Sequence, residues 1–292
     1  MIDIICCFND VSQNSNWDKQ NKFKTYEGIY LDFCTQFITL YNSIKKNWTF
    51  DYKIYLCHSL PLSLNSLEKL KNLDIEIVRI EPSDSANFPY LIRNDSWKLK
   101  TNGTHKLYLD TDMIALKNPN FDLSKDFLVM PCNSNIIYDT ETSINFCKII
   151  DHPTKEWIFG KDILTKLWNG QLKIKDYVSQ NYFPHFNGGA ILMKNEISEQ
   201  FGNLWWKIYN QLRNKVEDLR PLLFTDGLTI TQLSKNWSLF DIGFNYFDHN
   251  VDDYCLKKEY FNLEKIYLYH YITDHDLKDR FPTYFEDIIK NT

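Results

Sequence analysis

Long apolar runs are missing from this chain. No stretch approaches the roughly 20 consecutive apolar residues that a bilayer-crossing helix needs, so no membrane span is expected. The opening MIDIICCFND has an apolar run but no positively charged lead-in and no small-residue cleavage site. It is not expected to be a signal peptide, and the expected setting is soluble and cytoplasmic. Basic runs are missing as well. Lysine is scattered and the net charge is −5 at pH 7, whereas a nucleic-acid binder carries a basic stripe, so no nucleic-acid partner is expected. The seven cysteines are odd in number and lack paired-knuckle spacing. Cys6 and Cys7 share an apolar, strand-like run, and Cys34, Cys57, Cys132, Cys147 and Cys255 are dispersed. In a chain this long, the pattern suits reduced, mostly buried thiols rather than a disulfide framework or a zinc site. No internal repeat, low-complexity segment or clear linker is visible.

What is present is a folded globular composition. The 292 residues are 43% hydrophobic and 24% charged, enough for a sizeable core in one domain. The 18 Tyr and 20 Phe serve mostly as core, although some could stack on bases or sugar rings. The apolar run Ile2–Phe8 reads as a buried strand, and Tyr52–Cys57 and Ile75–Ile80 as a second and third strand. Helical spacing at Tyr30–Ile44 and Ser63–Leu73 separates them. This alternation argues for a parallel α/β sheet. Residues 12–25 read as a loop and 88–101 as a helix or part of one. His105–Leu109 and Phe127–Pro131 read as further strands. In the second half Phe186–Lys194 and Ile266–Ile272 are expected strands, and Lys155–Trp168, Glu196–Asn214 and Asp226–Ser234 expected helices. One domain, 1–292, with halves 1–131 and 132–292 is the expected organisation.

Two D-x-D patterns occur, at Asp110/Asp112 and Asp274/Asp276. Chance alone supplies roughly two in such a sequence, so context must separate them. Asp110 ends the apolar run LYL, and ligands of parallel sheets bind beyond the carboxyl ends of the strands. Two Asp one residue apart in a turn can aim carboxylates at one hard cation, Mn²⁺ or Mg²⁺. Such a cation would clamp the phosphates of a nucleotide diphosphate and offset the charge on the leaving group. The alternative is that both are turn formers after a strand.

The stretch LYLDTDMIALKNP resembles the metal-binding segment of GT-A-fold glycosyltransferases, most of all family 8. Three further stretches follow in the family's order. FNGGAILMKN, with Asn187, Gly188 and Gly189, resembles the segment that faces the sugar. TDGLTITQLSKNW resembles the segment opening Asp-Gln, with Asp226 in the Asp position and Gly227 replacing Gln. YLYHYITD resembles the late strand whose histidine completes the metal site, which points to His270. Lys278 corresponds to a phosphate-binding lysine, without the family's Gly and Lys-Pro context. The resemblance implies a GT-A fold, a Rossmann-like, mostly parallel sheet flanked by helices. It also implies a UDP-sugar donor, a glycan or other hydroxyl acceptor, an Asp110–Asp112–His270 metal site and retention of configuration. The nucleotide-sugar would lie on residues 1–131 and the acceptor on 132–292.

Other candidates follow from position. Arg93 and Lys98 precede the D-x-D strand, where phosphate donors are needed; ordinary solvated charge is the alternative. Phe8, Asn9 and Asp10 follow the first strand, where a nucleotide base sits in doubly wound sheets; turn chemistry is the alternative. Thr111 lies between the paired aspartates. Asp226 could be a general base for an inverting reaction, or an orienting or charge-stabilising group for a retaining one. It could also be a helix N-cap. Trp205 and Trp206 read as core. A haloacid-dehalogenase-type phosphatase also uses Asp-x-Asp after a parallel strand, but normally on the first strand. A nucleotidyltransferase would need a glycine-rich basic loop, and residues 9–28 hold one glycine. A non-catalytic sugar-binding protein would need neither nucleotide nor metal.

Overall fold

The computed structural model describes residues 1–9, 25–26, 29–30, 33–83, 91–131, 148–151, 166–167, 169–173, 176, 186–215, 221–241, 243–244, 263–270 and 286. Asp10, Lys278, the 12–24 stretch, Asp274, Asp276 and nearly all of the expected helix at Lys155–Trp168 lie outside the described residues.

The strands are β1 (Ile2–Cys7), β2 (Thr25–Tyr26), β3 (Ile29–Tyr30), β4 (Tyr52–His58), β5 (Glu76–Arg79), β6 (His105–Leu109), β7 (Met113–Ala115), β8 (Phe127–Pro131), β9 (Phe186–Lys194), β10 (Trp237–Leu239) and β11 (Leu268–His270). The α-helices are α1 (Phe33–Asn47), α2 (Leu64–Leu70), α3 (Ile92–Ser96), α4 (Asn195–Arg213) and α5 (Pro221–Leu233). Among the described residues, seven strands form one sheet in the order β10-β8-β9-β6-β1-β4-β5. Strands β5, β4, β1 and β6 run parallel, β9 is antiparallel to both its neighbours, and β10 is parallel to β8. The sheet is mostly parallel, and it runs across position 131/132, because β9 pairs with both β6 and β8.

The continuous apolar run of β1 is the signature of a strand buried on both faces. Ile2, Ile4 and Cys6 face the cluster built with Phe37, Leu40 and Ile44 of α1. Ile5 faces the opposite cluster, with Trp97, Tyr108, and Phe201, Trp205 and Tyr209 of α4. This is the period-2 alternation of a strand. Asp3 interrupts the run on a buried position and accepts from the Gly103 backbone N–H at 2.6 Å. A Cβ at position 103 would lie 2.5 Å from that carboxylate.

Three elements refine their sequence-based expectation. The helix, or part of one, expected at 88–101 spans Ile92–Ser96 among the described residues. The buried Lys106 ammonium takes the carbonyls of Trp97 and Leu99, together with Ser198 Oγ, and turns the chain out of the helix into β6. Helix α2 is capped by Ser63, whose Oγ accepts from the Ser66 N–H at 3.1 Å. Only Leu70 of its leucines is buried; Leu64 is 86% exposed. Helix α5 starts at Pro221, where proline suits a first turn. Asp226 therefore lies inside the helix and is not its N-cap.

No helix among the described residues is long and apolar enough to cross a membrane.

Candidate metal and sugar-transfer site

The site forms where β6 ends. Leu109 is the last β6 residue, the chain turns through Asp110, Thr111 and Asp112, and β7 leaves antiparallel to β11. The turn is anchored from below. Ser43 Oγ accepts from the Ala115 N–H at 2.9 Å and Asn47 Nδ2 donates to the Ala115 carbonyl at 2.8 Å. Both residues belong to α1. Thr111 is buried and donates to Gln36 Oε1 at 3.2 Å.

The β11–β7 register pairs His270 with Met113 and Tyr269 with Ile114. This brings the imidazole to the aspartates across 158 positions of sequence. His270 Nε2 lies 3.1 Å from Asp112 Oδ1 and 3.8 Å from Asp110 Oδ2. One ligand atom from each of Asp110, Asp112 and His270 falls within 4.8 Å of the others. Burial pushes the Asp110 carboxyl up from its usual range and Asp112 adds to it, against the pull of His270, Arg93 and the Tyr108 hydroxyl. Burial alone would lower His270, but the two aspartates outweigh it and hold the imidazole above its ordinary value. A cluster of this kind is one that a divalent cation relieves.

The residues present fit such a cation. Two carboxylates and an imidazole form an oxygen–nitrogen donor set suited to Mn²⁺ or Mg²⁺. Gly189 keeps the space open: a Cβ there would lie 2.7 Å from both Asp110 Oδ2 and His270 Cε1. The glycine's carbonyl accepts from the Asp110 N–H at 2.9 Å, and its own N–H donates to Asn187 Oδ1 at 2.8 Å. The register between β8 and β9 shifts here: Val129 pairs with Ile191 but Met130 pairs with Asn187. The intervening residues 188–190 are thereby given to the site instead of the β8 ladder.

Arg93 joins this cluster to a second carboxylate. Its Nη1 donates to the Gly188 carbonyl at 2.7 Å and its Nη2 to Asp226 Oδ2 at 2.7 Å. The other Asp226 oxygen accepts from Trp205 Nε1 at 2.8 Å. A Cβ on Gly188 would lie 2.2 Å from Arg93 Nη1 and 2.7 Å from Asp226 Oδ2. Arg93 also sits over the Tyr108 ring, 5.5 Å from its centroid, and Tyr108 Oη donates to Asp110 Oδ1 at 2.7 Å. One connected set of groups therefore runs from Asp110 through Tyr108 and Arg93 to Asp226 and Trp205.

Several expected site residues take other roles. Asn9 is buried, and its Oδ1 accepts from the backbone N–H groups of Ser59 and Leu60 at 2.8 and 3.0 Å. It ties down the turn after β4. Phe8 packs on Phe37 at 6.1 Å between centroids. Lys98 Nζ contacts Asp95 and Ser83 rather than the aspartate pair. Trp205 and Trp206 are core, as expected, but each also donates an indole N–H, to Asp226 and Asp95 respectively. Tyr108 and Gln36 were not legible as site residues. The only signal for Tyr108 is its place two residues before Asp110 on a strand, which puts both side chains on one face.

No protein-family model and no curated protein matches the chain. Solved structures do. The galactosyltransferase LgtC in complex with donor and acceptor sugar analogues aligns at a TM-score of 0.54 and 12% identity, over 99% of this chain and 95% of that one. An active-site mutant of LgtC aligns at 0.51 and 13%, over 92% and 86%. The apo bifunctional glycosyltransferase WbbM aligns at 0.52 and 11%, over 99% of this chain and 49% of its own. At such identities the likeness is one of architecture. The chain has the GT-A glycosyltransferase fold.

Proposed function

We propose that this chain is a family-8-like glycosyltransferase that moves a sugar from a UDP-sugar donor to a hydroxyl acceptor with Mn²⁺ or Mg²⁺. The observation that carries this reading is the Asp110–Asp112–His270 cluster at the end of β6 in a GT-A fold. The nucleotide is assigned to residues 1–131 and the acceptor to residues 132–292. A divalent cation held by the cluster would bridge the donor's phosphates and offset the charge of the leaving diphosphate.

The chain's own groups supply the rest. The lack of a Cβ at Gly188 and Gly189 lets Arg93, Asp226, Asp110 and His270 close on the backbone of β9, where the donor sugar would lie. Asn187 fixes that backbone through its bond to the Gly189 N–H. Asp226 already accepts from Arg93 and Trp205 on its two oxygens. A carboxylate so engaged suits stabilising an oxocarbenium-like centre or orienting the acceptor better than removing a proton. This supports retention of configuration over inversion. Thr111 contributes by fixing the turn between the aspartates.

The test is calorimetry with UDP, GDP and free sugar, with and without Mn²⁺, alongside sugar transfer assayed in EDTA. UDP is expected to bind first in rank and more tightly with metal, with transfer abolished by chelation. Full transfer after thorough chelation would refute the metal role. Binding of free sugar with no nucleotide would make the chain a sugar-binding protein. Vanadate-sensitive phosphate release would make it a phosphatase.

A further inference from the structure

Strands β1 and β4 are parallel neighbours, and Cys7 and Cys57 are direct partners in their register. Partners across parallel strands put their side chains on the same face, about 4.8 Å apart along the hydrogen-bonding direction. That spacing falls inside the roughly 4.4–6.8 Å Cα–Cα window of disulfides. Both thiols lie on the α4 side of the sheet. They differ in access: Cys57 is buried, whereas Cys7 is half-buried at the mouth of the strand.

The pair borders the site. Ile5 is the register partner of Tyr108, so Cys7, two residues on, comes alongside Asp110. Cys7 is within electrostatic reach of both Arg93 and Tyr108. It also leads directly into Asn9, which clamps the Ser59–Leu60 turn at the end of β4.

We propose that Cys7 and Cys57 are a redox modification site, a thiol pair that closes to a disulfide beneath the donor site and weakens donor binding when closed. Hydrogen peroxide supplies the oxidising equivalents. The Cys7 sulfur attacks one peroxide oxygen, the O–O bond breaks, and one water leaves with the thiol proton, giving a sulfenic acid. The Cys57 sulfur then attacks the Cys7 sulfur, the S–O bond breaks, and a second water carries away the Cys57 proton. Two thiols and one peroxide thus give one disulfide and two waters. Cys7 is the more accessible of the two thiols, so it is the sulfur that meets oxidant and Cys57 the one that resolves it. Closing the bond locks the ends of β1 and β4 to each other and fixes the two side chains beside Arg93 and Asp110, where the site depends on contacts of 2.7 Å.

The donor-binding part rests on the proposed nucleotide role; the disulfide itself does not. The experiment uses the full chain carrying Cys6→Ala, so that a linked N-terminal peptide can come only from Cys7. The protein is treated with hydrogen peroxide, digested without reduction and mapped by mass, and UDP affinity in Mn²⁺ is measured in parallel. A Cys7–Cys57 linked peptide is expected. UDP binding should weaken about tenfold or more and recover with dithiothreitol. Cys57→Ala, and separately Cys57→Ser, should keep the reduced protein's affinity and lose the link. Cys7 recovered as sulfinic acid without a link, or a link that leaves UDP affinity unchanged, overturns the proposal. A reduced protein that binds no UDP overturns the nucleotide reading and the switch with it, while the mass map still decides whether the disulfide forms.

Discussion

The Arg93 guanidinium spans the gap between Gly188 and Asp226, at 2.7 Å from each. The Asp226 side chain is 4% exposed and that of Arg93 16%, so this ion pair is largely withdrawn from water. Removing one partner leaves an uncompensated charge inside. Asp226→Asn should lower the unfolding free energy by roughly 3 kcal/mol, read by urea denaturation. The same variant should keep UDP affinity in Mn²⁺ near wild type while turnover falls by roughly 10²–10³-fold. Wild-type turnover would reduce Asp226 to a structural partner of Arg93.

Tyr108 reaches Asp110 through its hydroxyl alone, at 2.7 Å. Tyr108→Phe keeps the ring under Arg93 and deletes that bond. Groups that orient a metal ligand typically matter by roughly 10–100-fold in metal affinity. Mn²⁺ titration by calorimetry or paramagnetic resonance should show that loss, with thermal stability nearly unchanged. Equal Mn²⁺ affinity in both proteins would mean that Asp110 is positioned by its backbone alone. Asp112→Asn and His270→Ala, which remove the proposed ligands, should go further and weaken UDP binding in Mn²⁺.

Gly189 has no Cβ because Asp110 Oδ2 and His270 Cε1 occupy its direction, each 2.7 Å from where one would stand. Gly189→Ala should therefore push the ligands apart. The expected loss is about tenfold or more in Mn²⁺-supported UDP affinity, equivalent to about 1.4 kcal/mol. Leaving that affinity intact would show that the ligands can move aside at no cost.

Lys106 offers a pH test away from the site. Its ammonium is buried with three oxygen partners, and burial lowers its pKa from 10.5 to about 8. Between those values the unfolded chain binds the proton and the folded chain does not, so stability rises with pH there. Relative to Lys106→Met, the wild type should gain up to about 1.4 kcal/mol per pH unit above about pH 8. Chemical denaturation of both proteins across that range is the measurement. A constant difference would mean that the three oxygen partners keep the charged form as stable as in water.

The amino-acid sequence marked six of the central sheet's strands, β1, β4, β5, β6, β8 and β9, through their apolar runs, although Asp3, Lys53 and Lys106 interrupt three of them; the three-residue β10 left no such run. It marked Asp110 and Asp112 through their place at the end of such a strand, and α1 and α4 through their helical spacing. It could not show that Asn9 turns inward to hold Ser59 and Leu60, or that the segment before β6 leaves its helix at Ser96 to give carbonyls to Lys106. Side-chain partners distant in sequence decided both. The approach of His270 to Asp112 depends on the antiparallel seating of β11 on β7, and that of Arg93 to Asp226 on the packing of α3 and α5 around α4 and β9. A local pattern records which face of an element is apolar; which polar groups meet across 133 or 158 positions is set only when packing removes water and each buried charge must find its partner.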